Sequence, residues 1–286
     1  MKFRRYKKPR LNRSRGGTIV VFAFLTVMSI FMVLPIVYTI VTSLKPLNEL
    51  FLYPPRFFVR RPTLDNFTMM VQLVQDMWVP FERYLFNSLF VSFVGTGLYI
   101  IVASMAAFPL SKLRFRYGVL YYQIIVWAIL FRPEVTRIPQ YVIIARLGMI
   151  NTYWSIILPV LAGSFGVFLM RQFMLTIPDE IMEAAQIDGV NHYNVFIKIV
   201  MPMVKPAWLT LIIFTFQQLW NTTGGQYIYE ETVKMLPTVL QQISTGGIAR
   251  AGAGAVVALI LMIPPIAVFI LSQSSVMETM AQSGIK

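Results

Sequence analysis

The chain has 286 residues, of which 57% are hydrophobic and 13% are charged, and its mean hydropathy is +0.65. About a quarter of the residues of a soluble globular domain are charged, so this composition indicates an integral membrane protein. The chain has no cysteine and one histidine, His192, which excludes disulfides and thiolate metal sites and disfavours most nucleophilic catalysis. We therefore expect a protein that is not an enzyme.

The N-terminal segment is strongly basic, with eight basic side chains and no acid in fifteen residues. A nucleic-acid-binding arm and a cytoplasmic anchor before a membrane span are both compatible with such a run. The apolar stretch that begins at Thr18 favours the anchor. We assign residues 1–17 to a basic cytoplasmic tail and expect no nucleic-acid partner. The basic residues are Lys2, Arg4, Arg5, Lys7, Lys8, Arg10, Arg13 and Arg15.

Six apolar runs have lengths typical of membrane-spanning helices. The first is too long for the apolar core of a signal peptide and has no small-residue cleavage site after it. The third is the weakest, because Arg132-Pro133-Glu134 interrupts it, and Tyr141–Met149 fits a short interfacial helix. Residues 18–274 thus form an all-α polytopic transmembrane domain, and 275–286 form a C-terminal tail. The predicted spans are 18–41, 86–110, 118–138, 153–173, 207–229 and 251–274.

The distribution of charge gives the orientation. If both termini are cytoplasmic, that side carries 15 of the 25 Lys and Arg residues, as the positive-inside rule requires. The segment 171–206 is then cytoplasmic as well. The outer side keeps a small positive surplus, which is compatible with an acidic saccharide as substrate.

The stretches 18–41, 86–110, 118–131, 153–170, 207–229 and 251–274 contain no Asp, Glu, Lys, Arg or His. The sequence also has no phosphate-binding loop of the Walker type. Intramembrane charges mark proton relays and ion pathways, so their absence disfavours a proton-coupled carrier. Energy for uphill transport would have to enter from outside the spans. The alternatives are a secondary carrier or channel for a neutral polar solute, and a membrane enzyme, which would need clustered carboxylates or histidines.

Polar and aromatic residues gather near the outer end of the fifth span. A sugar path would use aromatic stacking and amide hydrogen bonds, and this group offers both. An interfacial aromatic belt has the same composition. We keep both interpretations for Gln217, Trp220, Asn221, Gln226 and Tyr227.

The segment 177–202 is a polar interruption of the apolar chain. Pro178 followed by Asp179 and Glu180 is typical of a helix start, and Gly189 is typical of a helix end. A second short helix is predicted from about 191 to 199, before Pro202. An amphipathic helix on the membrane surface is the alternative to a docking element, but its acidic face is unfavourable against an anionic leaflet.

These residues resemble a known signature. Glu183-Ala184-Ala185, followed by Gly189 and Pro202, is similar to the EAA motif of the permease subunits of bacterial ABC importers, in particular the carbohydrate permeases related to the maltose transporter. Supporting resemblance lies in Ile138-Pro139, in 147–152 and in Trp220-Asn221. The last nine residues, 278–286, resemble a branch that imports complex plant or host polysaccharide fragments, such as those derived from pectin.

The resemblance implies a type I ABC importer permease fold with a cytoplasmic coupling loop at 177–202. Glu183 would contact a separate ATPase, Ala184 and Ala185 would pack in its cleft, and Gly189 would form the turn. Asp188 would cap or brace the second helix or touch the partner, and Pro202 would close the loop. After Trp220-Asn221 the chain departs from the family pattern, because it continues Thr222-Thr223-Gly224-Gly225.

The resemblance also implies partners. They are a second, different permease in a heterodimer, an ATPase dimer on the cytoplasmic side, an extracytoplasmic solute-binding protein, an oligosaccharide substrate and membrane lipid. This chain would bind no cofactor itself, since ATP and Mg²⁺ would be held by the ATPase. The expected location is the bacterial cytoplasmic membrane.

Overall fold

A computed structural model describes residues 15–113, 115–131 and 133–283. These residues form fourteen α-helices and no strand. The first seven helices are α1 Arg15–Ser43, α2 Leu47–Leu50, α3 Asp65–Gln75, α4 Phe81–Lys112, α5 Gly118–Leu130, α6 Pro133–Arg146 and α7 Trp154–Leu161. The others are α8 Ser164–Leu175, α9 Asp179–Ile187, α10 His192–Val195, α11 Met201–Met203, α12 Lys205–Trp220, α13 Leu236–Ser244 and α14 Ala251–Ser283. Residues 1–14 and 284–286 of the predicted tails lie outside the described residues.

Several of these helices are long and apolar enough to cross a membrane. Within the described residues, α1, α4 and α14 qualify alone. Two bent pairs qualify as units: α7 with α8, at 41°, and the helical stretch 192–203 with α12, at 76°. Helix α5 has 13 residues and is about 20 Å long, less than the roughly 30 Å hydrocarbon core. The all-helical polytopic fold is therefore confirmed.

Three predicted element boundaries differ from the structure. The run 118–138 is not one helix, because α5 ends at Leu130 and Pro133, which has no N–H, begins α6. The run 207–229 is helical only to Trp220. Helix α14 continues through 275–283, so most of the predicted C-terminal tail is helical.

Helix α4 is the centre of the bundle, and it packs against α7, α8 and α12. It has 32 residues and is therefore about 48 Å long, so its two termini mark opposite ends of the molecule. At its C-terminus Lys112 contacts Asp179 of α9. At its N-terminus Tyr84 contacts Glu231, in the segment 221–235 that follows α12. We call these the α9 end and the opposite end.

The broken span α7–α8 is held by a tyrosine of α4. The hydroxyl of Tyr99 donates to the Gly163 carbonyl at 3.0 Å and accepts from the Gly166 N–H at 2.7 Å. A Cβ on Gly166 would lie 2.5 Å from the Tyr99 hydroxyl oxygen, so only glycine fits there. The phenol supplies partners for backbone groups that the break would leave without one inside a membrane.

Candidate functional site

The start of α9 is anchored by a buried lysine. Pro178 is the N-cap residue, one position before the first helical turn. Lys112 has a side chain that is 2% exposed, and it donates to Asp179 Oδ1 at 2.7 Å and to the Ile177 carbonyl. A buried ammonium group requires such partners. From the sequence, Lys112 was counted only as one of the basic residues that flank the spans on the cytoplasmic side.

The end of α9 has the hydrogen bonds of a Schellman motif. Gly189 has a φ of +72°. Its N–H donates to the Gln186 carbonyl at 3.0 Å, and the Val190 N–H donates to the Ala185 carbonyl at 3.0 Å. The predicted acidic helix and glycine turn are therefore confirmed.

The two faces of α9 differ. Met182 and Ala185 are buried in the protein's own core. The exposed face carries Glu180, Glu183, Ala184 and Ile187, spaced i, i+3, i+4 and i+7. This corrects the expectation for Ala185: its small side chain lets α9 approach the bundle, and it is not available to a partner's cleft.

The second half of the 177–202 loop differs in two details from its prediction. The N-cap of α10 is Asn191, which accepts from the Asn194 N–H at 2.8 Å, so Asp188 does not cap this helix. A π-helical turn, Phe196–Val200, precedes Pro202. The wider turn accommodates a proline, which has no N–H to donate, so the helix passes Pro202 and the sharp bend follows at Val204.

The 177–202 loop is rooted in the bundle by apolar packing. Val195, Val200 and Val204 are buried in one cluster with residues of α4 and α8. The rings of Phe108 and Phe196 lie 5.2 Å apart between centroids. Because packed interiors resist deformation, we expect that a displacement of this loop would displace α4 and α8 with it.

At the opposite end, Trp220 is fully buried and does not line a path. Its indole N–H donates to the Leu261 carbonyl at 2.8 Å, and its ring stacks on Phe216 at 5.8 Å between centroids. Both interpretations of Trp220 from the sequence, sugar contact and interfacial belt, are corrected by this burial. It packs α12 against α14.

The three amide side chains near Trp220 point in different directions. Gln217 lines an apolar groove beside Pro265 and Phe269 of α14. Asn221 is at the C-cap of α12 and donates to the Gln217 carbonyl at 2.9 Å. The amide of α12 that lines the main cleft, described next, is Gln218.

The main cleft consists of two cavities that share a wall. The larger, of about 810 Å³, is open to the surface and is bordered by α5, α6, α7, the α7–α8 break and α12. The smaller, of about 250 Å³, lies against the segment 221–235. Gln140, Pro159, Val160 and Gln218 line both. The cleft therefore has mostly apolar walls with two amides at its centre, a composition typical of ligand sites.

Two predicted path residues, Gln226 and Tyr227, do line the smaller cavity. Gln226 binds Arg137 of α6, accepting from its Nε at 2.7 Å. The Tyr227 ring stacks on Tyr141 at 6.2 Å between centroids. From the sequence, no residue of α6 was assigned to the path, so Arg137, Gln140 and Tyr141 were missed. The signal that the sequence offered is the spacing of positions 137, 140 and 144, which places them on one face of the helix.

The segment 221–235 is itself fixed to α4. Asn87 donates to the carbonyls of Thr232 and Lys234, at 2.9 and 2.8 Å. Burial acts to raise the pKa of Glu231, but hydrogen bonds from Lys234, Tyr84 and Gln242 outweigh it and lower the pKa. This wall of the smaller cavity is therefore held in place by an ionised carboxylate.

No family model matches the chain. It is 33% identical over 198 residues to the sn-glycerol-3-phosphate transport system permease protein UgpE of Yersinia enterocolitica, covering 68% of this chain and 70% of that protein. It is 30% identical over 207 residues to the arabinooligosaccharides transport system permease protein AraQ of Halalkalibacterium halodurans, covering 70% of each.

Among solved structures, a chain of a bacterial ABC transporter involved in the import of the acidic polysaccharide alginate is similar, with a TM-score of 0.78 at 20% identity. The superposition covers 92% of this chain and 99% of that chain. At this identity the structural likeness shows the fold. The family is shown by the sequence relatives, which include the putative ABC transporter permease protein ORF2 of Caldicellulosiruptor sp. (strain Rt8B.4), 30% identical over 219 residues that cover 76% of each chain.

Proposed function

Because the chain belongs to the permease proteins of ABC transporters, we propose that it is the importer subunit through which an oligosaccharide crosses the cytoplasmic membrane, driven by a separate ATPase. The observation that carries this proposal is the geometry of α9. An exposed face with Glu180 and Glu183 projects from a helix that is rooted in the bundle through Lys112, Met182 and Ala185. Such a helix can bind a partner and transmit the movement of that partner to the bundle.

The orientation supports the same function. We place both termini and α9 in the cytoplasm, because the basic flanks of the spans concentrate on that side. An ATPase dimer that holds ATP and Mg²⁺ would bind α9. Its closure would turn the cleft outward, where a solute-binding protein delivers the substrate, and hydrolysis would return the cleft to the inside. A second, different permease would complete the path, with lipid around the spans.

The class of substrate is supported by the relatives. One is named for arabinooligosaccharides and another for sn-glycerol-3-phosphate, and the structural neighbour serves the import of alginate. All three solutes are polyhydroxylated. The amides of Gln140 and Gln218 and the half-buried ring of Tyr227 offer hydrogen bonds and a stacking surface that suit hydroxyl-rich ligands.

Purification of the tagged chain from its native membrane tests the proposal. We expect a second permease and a soluble ATPase to copurify, and the complex in liposomes to take up oligosaccharide only with ATP and the binding protein. Uptake by the isolated chain, driven by an ion gradient and without ATPase, would instead identify a secondary carrier.

A further inference from the structure

Arg137 is a cationic side chain in a cleft whose other described lining residues are uncharged. The ion pairs in the described part of the chain are Lys112–Asp179 and Lys234–Glu231, so no described carboxylate neutralises it. Glu134, one turn earlier on α6, is exposed and does not line either cavity. The smaller cavity therefore has a positive wall.

The guanidinium group of Arg137, whose side chain is exposed, is oriented by a hydrogen bond to Gln226. Its Nε donates to Gln226 Oε1 at 2.7 Å, and Gln226 Nε2 donates back to the Arg137 carbonyl at 3.3 Å. Among the described residues, nothing accepts a hydrogen bond from its two Nη groups. An oriented guanidinium with free Nη groups matches the two oxygens of a carboxylate or a phosphate.

Neutral hydrogen-bonding groups surround this cation. Gln140 lies three residues further along α6, and Gln218 faces it from α12; both line the same cavity as Arg137. Tyr227 adds a ring that is already stacked on Tyr141. The combination of one oriented cation, several amides and an aromatic ring suits a sugar or polyol that bears an acidic group.

We propose that the Arg137 site, formed by Arg137, Gln140, Gln218 and Gln226, binds the anionic group of the transported solute. The solute class is then an acidic saccharide or a phosphorylated polyol rather than a neutral sugar. This inference rests on the function proposed above, because it assigns a charge to the solute that the importer carries. Arg137 determines specificity within the path.

Uptake into liposomes by the complete complex, with its binding protein, tests the site. The probes are trigalacturonate, its carboxyl-reduced neutral counterpart and sn-glycerol 3-phosphate, which separate carboxylate from phosphate. We expect wild-type uptake of one of the anionic probes.

Arg137→Gln should lower uptake of that anion by about tenfold, since a charge-assisted hydrogen bond is lost, without lowering uptake of the neutral trisaccharide. Arg137→Lys should retain part of it. Arg146→Gln, an exposed arginine at the end of α6 outside both cavities, is the control and should have no effect.

Two results would overturn the assignment while leaving an importer. The first is wild-type uptake of the neutral trisaccharide and of neither anion. The second is an equal loss of charged and neutral uptake in Arg137→Gln, which would mean that Arg137 only supports α6. The absence of ATP-dependent uptake of every probe, with no ATPase in the purified complex, would instead defeat the proposed function itself.

Discussion

Gly189 is the residue on which the turn between α9 and α10 depends. Its φ of +72° is costly for a β-branched residue, although an added Cβ would meet no atom within 4 Å. We expect Gly189→Val to destabilise the turn by about 1–2 kcal/mol, and Gly189→Asn to cost less, since asparagine tolerates this conformation. Hydrogen exchange in residues 179–200, together with uptake, measures the effect. Equal behaviour of the two variants would contradict a conformational role.

Glu183 lies on the exposed face of α9 and has no described hydrogen bond or ion pair of its own, so a partner can use its charge. We expect Glu183→Lys to lower transport and stimulated ATP hydrolysis by tenfold or more, because reversing one charge of an interface pair costs about 2 kcal/mol or more. Asp76→Lys, at the exposed C-cap of α3 at the opposite end, is the control and should transport normally. Normal coupling in Glu183→Lys, with the complex intact, would remove this residue from the interface.

At the scale of single elements, the attachment of α9 depends on Lys112. Replacement by Met keeps the length and the apolar stem but removes the bonds to Asp179 and the Ile177 carbonyl. Asp179 remains solvated, since its side chain is 71% exposed, so we expect a loss of about 1–2 kcal/mol at the start of α9. Amide exchange in residues 177–182 should accelerate while α4 is unchanged. The exposed Lys198→Met is the matched control.

If Lys112→Met left exchange and coupling as in the unaltered chain, the anchor would be irrelevant and apolar packing alone would hold α9. The double variant with Asp179→Asn separates the two contacts. If the ion pair carries the effect, the second change adds little to the first, because the two residues share one interaction.

Most of the helical elements could be predicted from the sequence, because apolar runs and helix-ending residues are local signals. Pro178 and Gly189 marked the limits of α9, which runs from Asp179 to Ile187, to within two residues. The end of α12 was predicted too late, because Tyr227, Ile228 and Tyr229 were counted into the apolar run although the polar residues 221–226 separate them from Trp220. No local signal shows that Tyr99 stabilises a break at Gly163, because these residues meet only in the fold.

The residue types of the candidate site could be predicted from the sequence, but the directions in which their side chains point could not. The pattern at 183–189 predicted an acidic helix that ends at a glycine turn, yet it could not show that Ala185 faces the protein's own core. Trp220 has the residue type of a sugar contact, and only the position of α14 explains its burial. Arg137 and Gln226 are 89 positions apart, so their pairing was not visible in the sequence.

At the scale of the whole molecule, one packed cluster joins α9 and α10 to α4, α8 and α12. We therefore expect these helices to move together when ATP binds. The sequence has no cysteine, so pairs of cysteines can be introduced for spin labels without background from this chain. Labels at the exposed Tyr193 and Leu175 should keep their separation to within about 2 Å between nucleotide-free and ATP-bound complexes. A label at Tyr193 and one on the ATPase surface should change their separation, which shows that the complex is cycling. A change of the Tyr193–Leu175 distance well beyond that limit would mean that the loop moves without α8. The movement of the ATPase would then have to be transmitted to the cleft through other contacts.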